Sequence, residues 1–173
     1  MRKLLLFALV LPALLPAQDN PLSGAIKFEY GMVKGYVLRS AEKVPAEDYS
    51  FKATDEVRSF GQLVGHVADA QYSFCSAATG EKNPAPHIEK TKTSKDDLVA
   101  ALKDAFAYCD KAYDSMTDRT GAEQVKFFGR EVPRLGVLAF SNMHDDEHYG
   151  NMVTYMRLKN IVPPSSERAP SSR

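Results

Sequence analysis

The sequence predicts an all-α fold, a bundle of four helices, on three observations. Apolar residues recur at three- and four-residue steps in four separate stretches, no stretch alternates convincingly as a strand does, and Pro, Gly or a Ser cap separates each stretch from the next. Amphipathic helices of this length bury their apolar stripes against one another, and side chains on facing helices are where such bundles build their sites.

Residues 1–18 stand apart. Arg2 and Lys3 precede the apolar run Leu4 to Leu15, and Pro16-Ala17 leads into the polar Gln18-Asp19-Asn20, the layout of a secretory signal peptide. The run is too short for a comfortable membrane span, and no later segment is continuously apolar. Export to the periplasm or the extracellular space is expected, with residues 19–164 as one helical domain and 165–173 as a disordered tail rich in Ser, Pro and Arg. Leu15 departs from the small-residue cleavage pattern, which leaves retention as an N-terminal anchor as the alternative.

The first helix spans Pro21 to Lys43 on the stripe Ile26, Tyr30, Val33, Val37, Ala41 and Val44, and Pro45 ends it. After a polar connection, Phe60, Leu63, Val67, Ala70, Phe74 and Ala78 mark the second helix, which carries His66 and stops at Gly80. Glu81 to Thr93 holds Pro84 and Pro86, lacks helical period and leads to Ser94, an N-cap candidate with Asp97 three residues on. Extended, that connection reaches roughly 40 Å, the length of a helix of about 25 residues, so a long crossover leaving helices two and three parallel is allowed.

The third helix follows Leu98, Leu102, Ala105, Phe106, Cys109, Tyr113 and Met116 until Asp118 to Gly121 breaks it. Ala122 to Val132 reads as a short strand-like or irregular lid around Val125, Phe127 and Phe128. Pro133 suits the first turn of the fourth helix, whose face passes through Val137, Phe140, His144, His148, Met152 and Tyr155 before Asn160 and Pro163-Pro164. Cys75 and Cys109 are the only cysteines; a disulfide and two small buried core residues are both open readings.

The formal net charge is zero, Trp is absent and the basic residues are scattered, which argues against a nucleic-acid or anionic-membrane partner. A small-molecule substrate fits better, and a homodimer is left open.

His144 and His148 lie one helical turn apart. At that spacing two side chains differ by about 40° around the axis and about 6 Å along it, so both imidazoles can reach one ion. His66, on the second helix, is the candidate third ligand, with a satisfied core or surface histidine as the alternative. Three buried imidazoles without partners would each cost about 1–3 kcal/mol, whereas one divalent ion satisfies all three. Neutral ligands leave the ion its full charge and open positions at which a bound water would be activated, so no protein side chain is assigned as the catalytic group. Imidazole donors suit zinc, nickel, iron or copper.

Asp69 and Gln62 fall near the His66 face and are candidate outer partners of the ligands, with solvent-facing polar residues as the alternative. The pattern His144-x-x-Glu147-His148 formally matches an inverted peptidase motif, but the one acid further downstream is Glu167. Asp145, Asp146 and Glu147 are otherwise expected on a solvated acidic face, and His87 is expected to be exposed. Cys75 is about half a turn out of phase with His66 and is not expected to share its pocket.

The segments Ser59-Phe60-Gly61-Gln62-Leu63-Val64-Gly65-His66-Val67-Ala68-Asp69 and His144-x-x-x-His148-Tyr149-Gly150-Asn151-Met152-Val153-Thr154-Tyr155-Met156-Arg157 together resemble the DinB-like (YfiT-like) family of four-helix-bundle metalloproteins. The resemblance runs from about Pro21 to Pro164. It implies an up-down-down-up bundle and a divalent metal held by His66, His144 and His148. Characterised relatives include thiol-dependent S-transferases, a thiol-dependent isomerase and a metal-dependent hydrolase. An exported protein would not meet a reduced thiol pool, so the expectation is a metalloenzyme of hydrolytic type acting on a small molecule. The alternatives are a non-catalytic metal- or ligand-binding bundle and, behind it, an S-transferase or an inverted-motif peptidase.

Overall fold

In a computed structural model, residues 19–167 are described; residues 1–18, expected as a signal peptide, and the last six residues lie outside them. Helix α1 (Pro21–Lys43) begins at a reciprocal cap with a distant turn. The Asp118 carboxylate accepts the N–H groups of Leu22 (3.1 Å) and Ser23 (2.8 Å), and Asn20 Oδ1 accepts from Asp118 N (3.0 Å). Helix α2 (Phe60–Thr79) opens on a capping box between Ser59 and Gln62 and closes at Gly80, whose φ of 79° is the left-handed conformation that glycine adopts without cost.

The crossover that follows is not wholly irregular, as its two prolines suggest, because Ile88–Thr91 forms a single turn, α3. Helix α4 (Lys95–Ser115) starts at Ser94, whose side chain accepts from Asp97 N. The expected break after it is a second short helix, α5 (Asp118–Gly121), capped by Thr117. The strand-like segment resolves into an antiparallel hairpin, β1 (Gln124–Phe127) and β2 (Arg130–Pro133), with Val125 opposite Val132. Phe128 and Gly129 both have positive φ, as a two-residue hairpin turn of this hand requires. Helix α6 (Arg134–Leu158) completes the bundle.

Side-chain pairs fix the helix directions. Cys75 of α2 is bonded to Cys109 of α4, while Leu98 packs beside Gly61 and Gly65, so α2 and α4 run parallel. Tyr30 stacks on Tyr113 and Lys34 pairs with Asp110, so α1 opposes α4. Ile26 O accepts from Asn142 and Tyr36 stacks on Tyr149, so α1 and α6 are parallel. That is the up-down-down-up order, made possible by the long crossover. No helix among the described residues is long and apolar enough to cross a membrane.

Helix α2 sits deepest, with fourteen of its 20 residues buried. The bridge also settles the two readings of the cysteines, since both are buried and bonded. At the C-terminus the expected disorder does not begin at Ser165. Ser165 N donates to Tyr149 Oη (2.9 Å), the tyrosine hydroxyl donates to Ser165 Oγ (2.6 Å), and Glu167 pairs with Lys43 (2.7 Å).

The bridge closes a sequence separation of 34, which in the chain-entropy account stabilises by about 3–4 kcal/mol. The double substitution Cys75→Ala with Cys109→Ala is expected to lower the unfolding free energy by about that amount, read as a lower midpoint in urea with a somewhat steeper slope, because the unlinked denatured chain exposes more surface.

Candidate metal centre

The three histidines meet where α2 and α6 pass each other. The antiparallel register is set by Tyr155 Oη donating to Arg58 O (2.6 Å) at one end and Gln71 Nε2 donating to both Asp145 oxygens (2.7 and 2.8 Å) near the middle. Between these ties His66 faces His144 and His148. The Nε2 atoms of His66 and His144 are 3.2 Å apart, and those of His148 and His144 are 3.1 Å apart. One ligand atom from each ring lies within 4.8 Å of the others.

Those separations suit an ion. Bonds of about 2.0–2.1 Å from one centre place two nitrogens about 2.9 Å apart at right angles and about 3.4 Å apart at the tetrahedral angle. Both observed values fall between.

Burial and the neighbouring imidazoles push His144 down to about 3. His148 falls to about 4, chiefly through burial, with the His66 and Arg58 charges adding to it and Glu147 and Glu89 opposing it. His66 is lowered by burial and by Arg58, against Glu89 and Asp69. At neutral pH all three rings are therefore uncharged and offer lone pairs.

The outer nitrogens differ. His66 Nδ1 lies 3.2 Å from Glu89 Oε2, and Arg58 Nε donates to Glu89 Oε1 (2.9 Å). His148 Nδ1 lies 3.3 Å from the Asn151 side-chain amide. His144 Nδ1 is buried with no partner, and that ring is held by packing edge-on against Phe74 (5.2 Å). Phe127 and Phe140 extend this aromatic wall. The other side opens on a cleft of about 640 Å³ lined by polar groups that include Arg58, Gln62, Glu89, His148 and Asn151.

The two outer partners expected from sequence sit elsewhere. Gln62 lines the cleft, but its side-chain oxygen accepts from Ser59 N (2.9 Å) in the capping box. Asp69 turns to the crossover, where it accepts from Ile88 N (2.7 Å) and Glu89 N (2.9 Å). The carboxylate that does reach a histidine is Glu89, which helical periodicity could not find because it lies in the Pro-rich connection. Gly65, a glycine inside a helical run, was the available signal of a close backbone approach there.

Asp145 is not on a solvated face. It is fully buried, and burial raises its pKa well above the usual carboxylate range despite the hydrogen bonds from Gln71. His87 is exposed, as expected.

Fold and cluster together define a four-helix bundle that gathers three neutral imidazoles from two antiparallel helices at the head of a polar cleft. The chain belongs to the DinB superfamily, whose family model matches residues 33–152. It is 26% identical to the uncharacterized protein YjoA of Bacillus subtilis (strain 168) over 121 residues, 68% of this chain and 77% of that one. The crystal structure of YjoA superposes with a TM-score of 0.67 at 22% identity, covering 84% of this chain and 99% of that one. A DinB-like protein from Bacillus cereus ATCC 10987 superposes with a TM-score of 0.73 at 17% identity, covering 82% and 95%. The mycothiol-dependent maleylpyruvate isomerase superposes with a TM-score of 0.62 at 20% identity; the match covers 76% of this chain and 60% of that one.

Both Asp145 oxygens accept from Gln71 Nε2, so Gln71→Leu leaves a buried carboxyl without its donor and is expected to destabilise the fold by about 1–3 kcal/mol at neutral pH. A lowered midpoint in thermal unfolding checks this.

Proposed function

We propose that this is a metalloenzyme in which His66, His144 and His148 hold one divalent transition ion and the adjoining cleft takes a small molecule for hydrolysis. The observation that carries the reading is the convergence of three uncharged imidazoles, with His144 Nε2 at separations from the other two Nε2 atoms that suit one ion. Bound there, the ion would supply Lewis acidity at an open coordination position.

The chain's own residues do the rest. Burial keeps the imidazoles neutral, Phe74 holds the His144 ring from one side, and Arg58, Gln62 and Asn151 offer hydrogen bonds to a ligand from the other. Export belongs to the same proposal. It is supported by the charged and apolar layout of residues 1–18 and by the Cys75–Cys109 bridge, a bond that persists in oxidising compartments.

A second reading, thiol-dependent chemistry, is favoured by the likeness to the mycothiol-dependent isomerase. The two separate on reagents. Metal-loaded protein is expected to turn over small ester or amide probes with no thiol added; turnover that appears only when a low-molecular-weight thiol is supplied would replace hydrolysis with the second reading.

Metal content tests the site itself. Protein purified without an affinity tag is expected to carry about one divalent ion per chain by elemental analysis, and His144→Ala to carry none at the same loading. Equal and substoichiometric metal in both would sink the proposal. Intact mass of the chain recovered from its native host is expected to lack the first 18 or so residues.

A further inference from the structure

We propose that α3, the single turn inside the crossover, is the orienting arm of the histidine cluster, with Glu89 as the positioning residue that fixes which nitrogen of His66 faces the other two rings. The effect on metal affinity rests on the metal reading above; the effect on the His66 ring does not.

The assignment follows from what each atom can donate. Glu89 Oε1 accepts from Arg58 Nε at 2.9 Å, and Oε2 lies 3.2 Å from His66 Nδ1. Arg58 Nε can only donate, and the carboxylate held against it is the acceptor in both contacts. The hydrogen must therefore sit on His66 Nδ1, and the lone pair on Nε2. That Nε2 is the atom 3.2 Å from His144 Nε2. Neither other ring is fixed in this way among the described residues, since His148 Nδ1 meets a neutral amide and His144 Nδ1 meets no partner.

A four-residue turn does not hold its own shape in water, so its place must be set from outside. The residues that set it bracket His66 on α2. Asp69 takes the Ile88 and Glu89 N–H groups at 2.7 and 2.9 Å, capping the turn from across the chain. Gly65 allows the approach, because a Cβ there would stand 2.7 Å from Glu89 Cα. Ile88 is buried beside them, and His87 takes a left-handed φ of 73° to start the turn. One short stretch of α2 thus presents the imidazole and also anchors the carboxylate that orients it. Carboxylates behind metal-ligating histidines fix the ring and make it a stronger donor, and losing one typically costs 10- to 100-fold in affinity.

The experiment uses the apo protein first. Long-range proton–nitrogen NMR at neutral pH is expected to show His66 with its hydrogen on Nδ1 in wild type, and to show that preference lost in Glu89→Gln. Gly65→Ala keeps both side chains but displaces the turn, and is expected to lose the preference as well. Zinc titration is then expected to show one site in wild type and in Glu89→Gln, weakened roughly 10- to 100-fold in the variant. An Nδ1-protonated His66 in both variants, with zinc affinity unchanged, overturns the inference while leaving the metal reading intact. A Glu89-dependent ring in a wild type that binds no zinc overturns the metal reading alone.

Discussion

The antiparallel seating of α6 on α2 is the constraint on which the rest of the molecule depends. His66 comes from one helix and His144 and His148 from the other, and a slip of one residue along either would rotate its side chains by about 100° and scatter the cluster. The register is held by a buried amide–carboxyl pair, Gln71 with Asp145, whose carboxyl immediately follows His144 in the chain, and by the Tyr155 hydroxyl on the Arg58 carbonyl. Burying a carboxyl is expensive unless hydrogen bonds are supplied, which makes any register that parts Asp145 from Gln71 unfavourable. The polar pair thus contributes more to uniqueness than to depth of the energy well.

The same helix carries a second buried polar chain one turn earlier. Asn142 accepts from Tyr113 of α4 (2.7 Å) and donates to Ile26 O of α1 (2.9 Å), so α6 is tied to all three long partners through side chains with directional demands. Burial raises the Tyr30 and Tyr113 hydroxyls far above their ordinary range, so both remain donors at any physiological pH. Apolar packing alone would tolerate small rotations of α6; these hydrogen bonds do not.

Much of this was legible in the sequence. The three- and four-residue spacing located all four long helices, and Pro45, Gly80 and Ser94 marked ends that the structure keeps. The histidine cluster was legible because two ligands share one helical turn. Of the α6 stripe that the spacing predicts, Val137, His148, Met152 and Tyr155 are buried, while Phe140 and His144 stand at the edge of a face that also takes in Leu138, Ser141 and Asp145. A run of three acids reads as solvent-facing, and nothing local reveals that the first of them meets Gln71. Glu89 was hidden for a different reason. Its placement comes from Asp69 and Gly65, twenty or more residues earlier, and a one-turn helix has too few residues to show a period.

The Cys75–Cys109 bond, described above as a tie between two parallel helices, also makes a closed ring of the chain, and the whole exposed crossover lies inside it. A protease that cut anywhere in that ring would open a strand without releasing a fragment. The α2 half, with His66, would stay covalently joined to the half that carries His144 and His148. Were the chain exported, as proposed, cleavage in this segment would separate nothing.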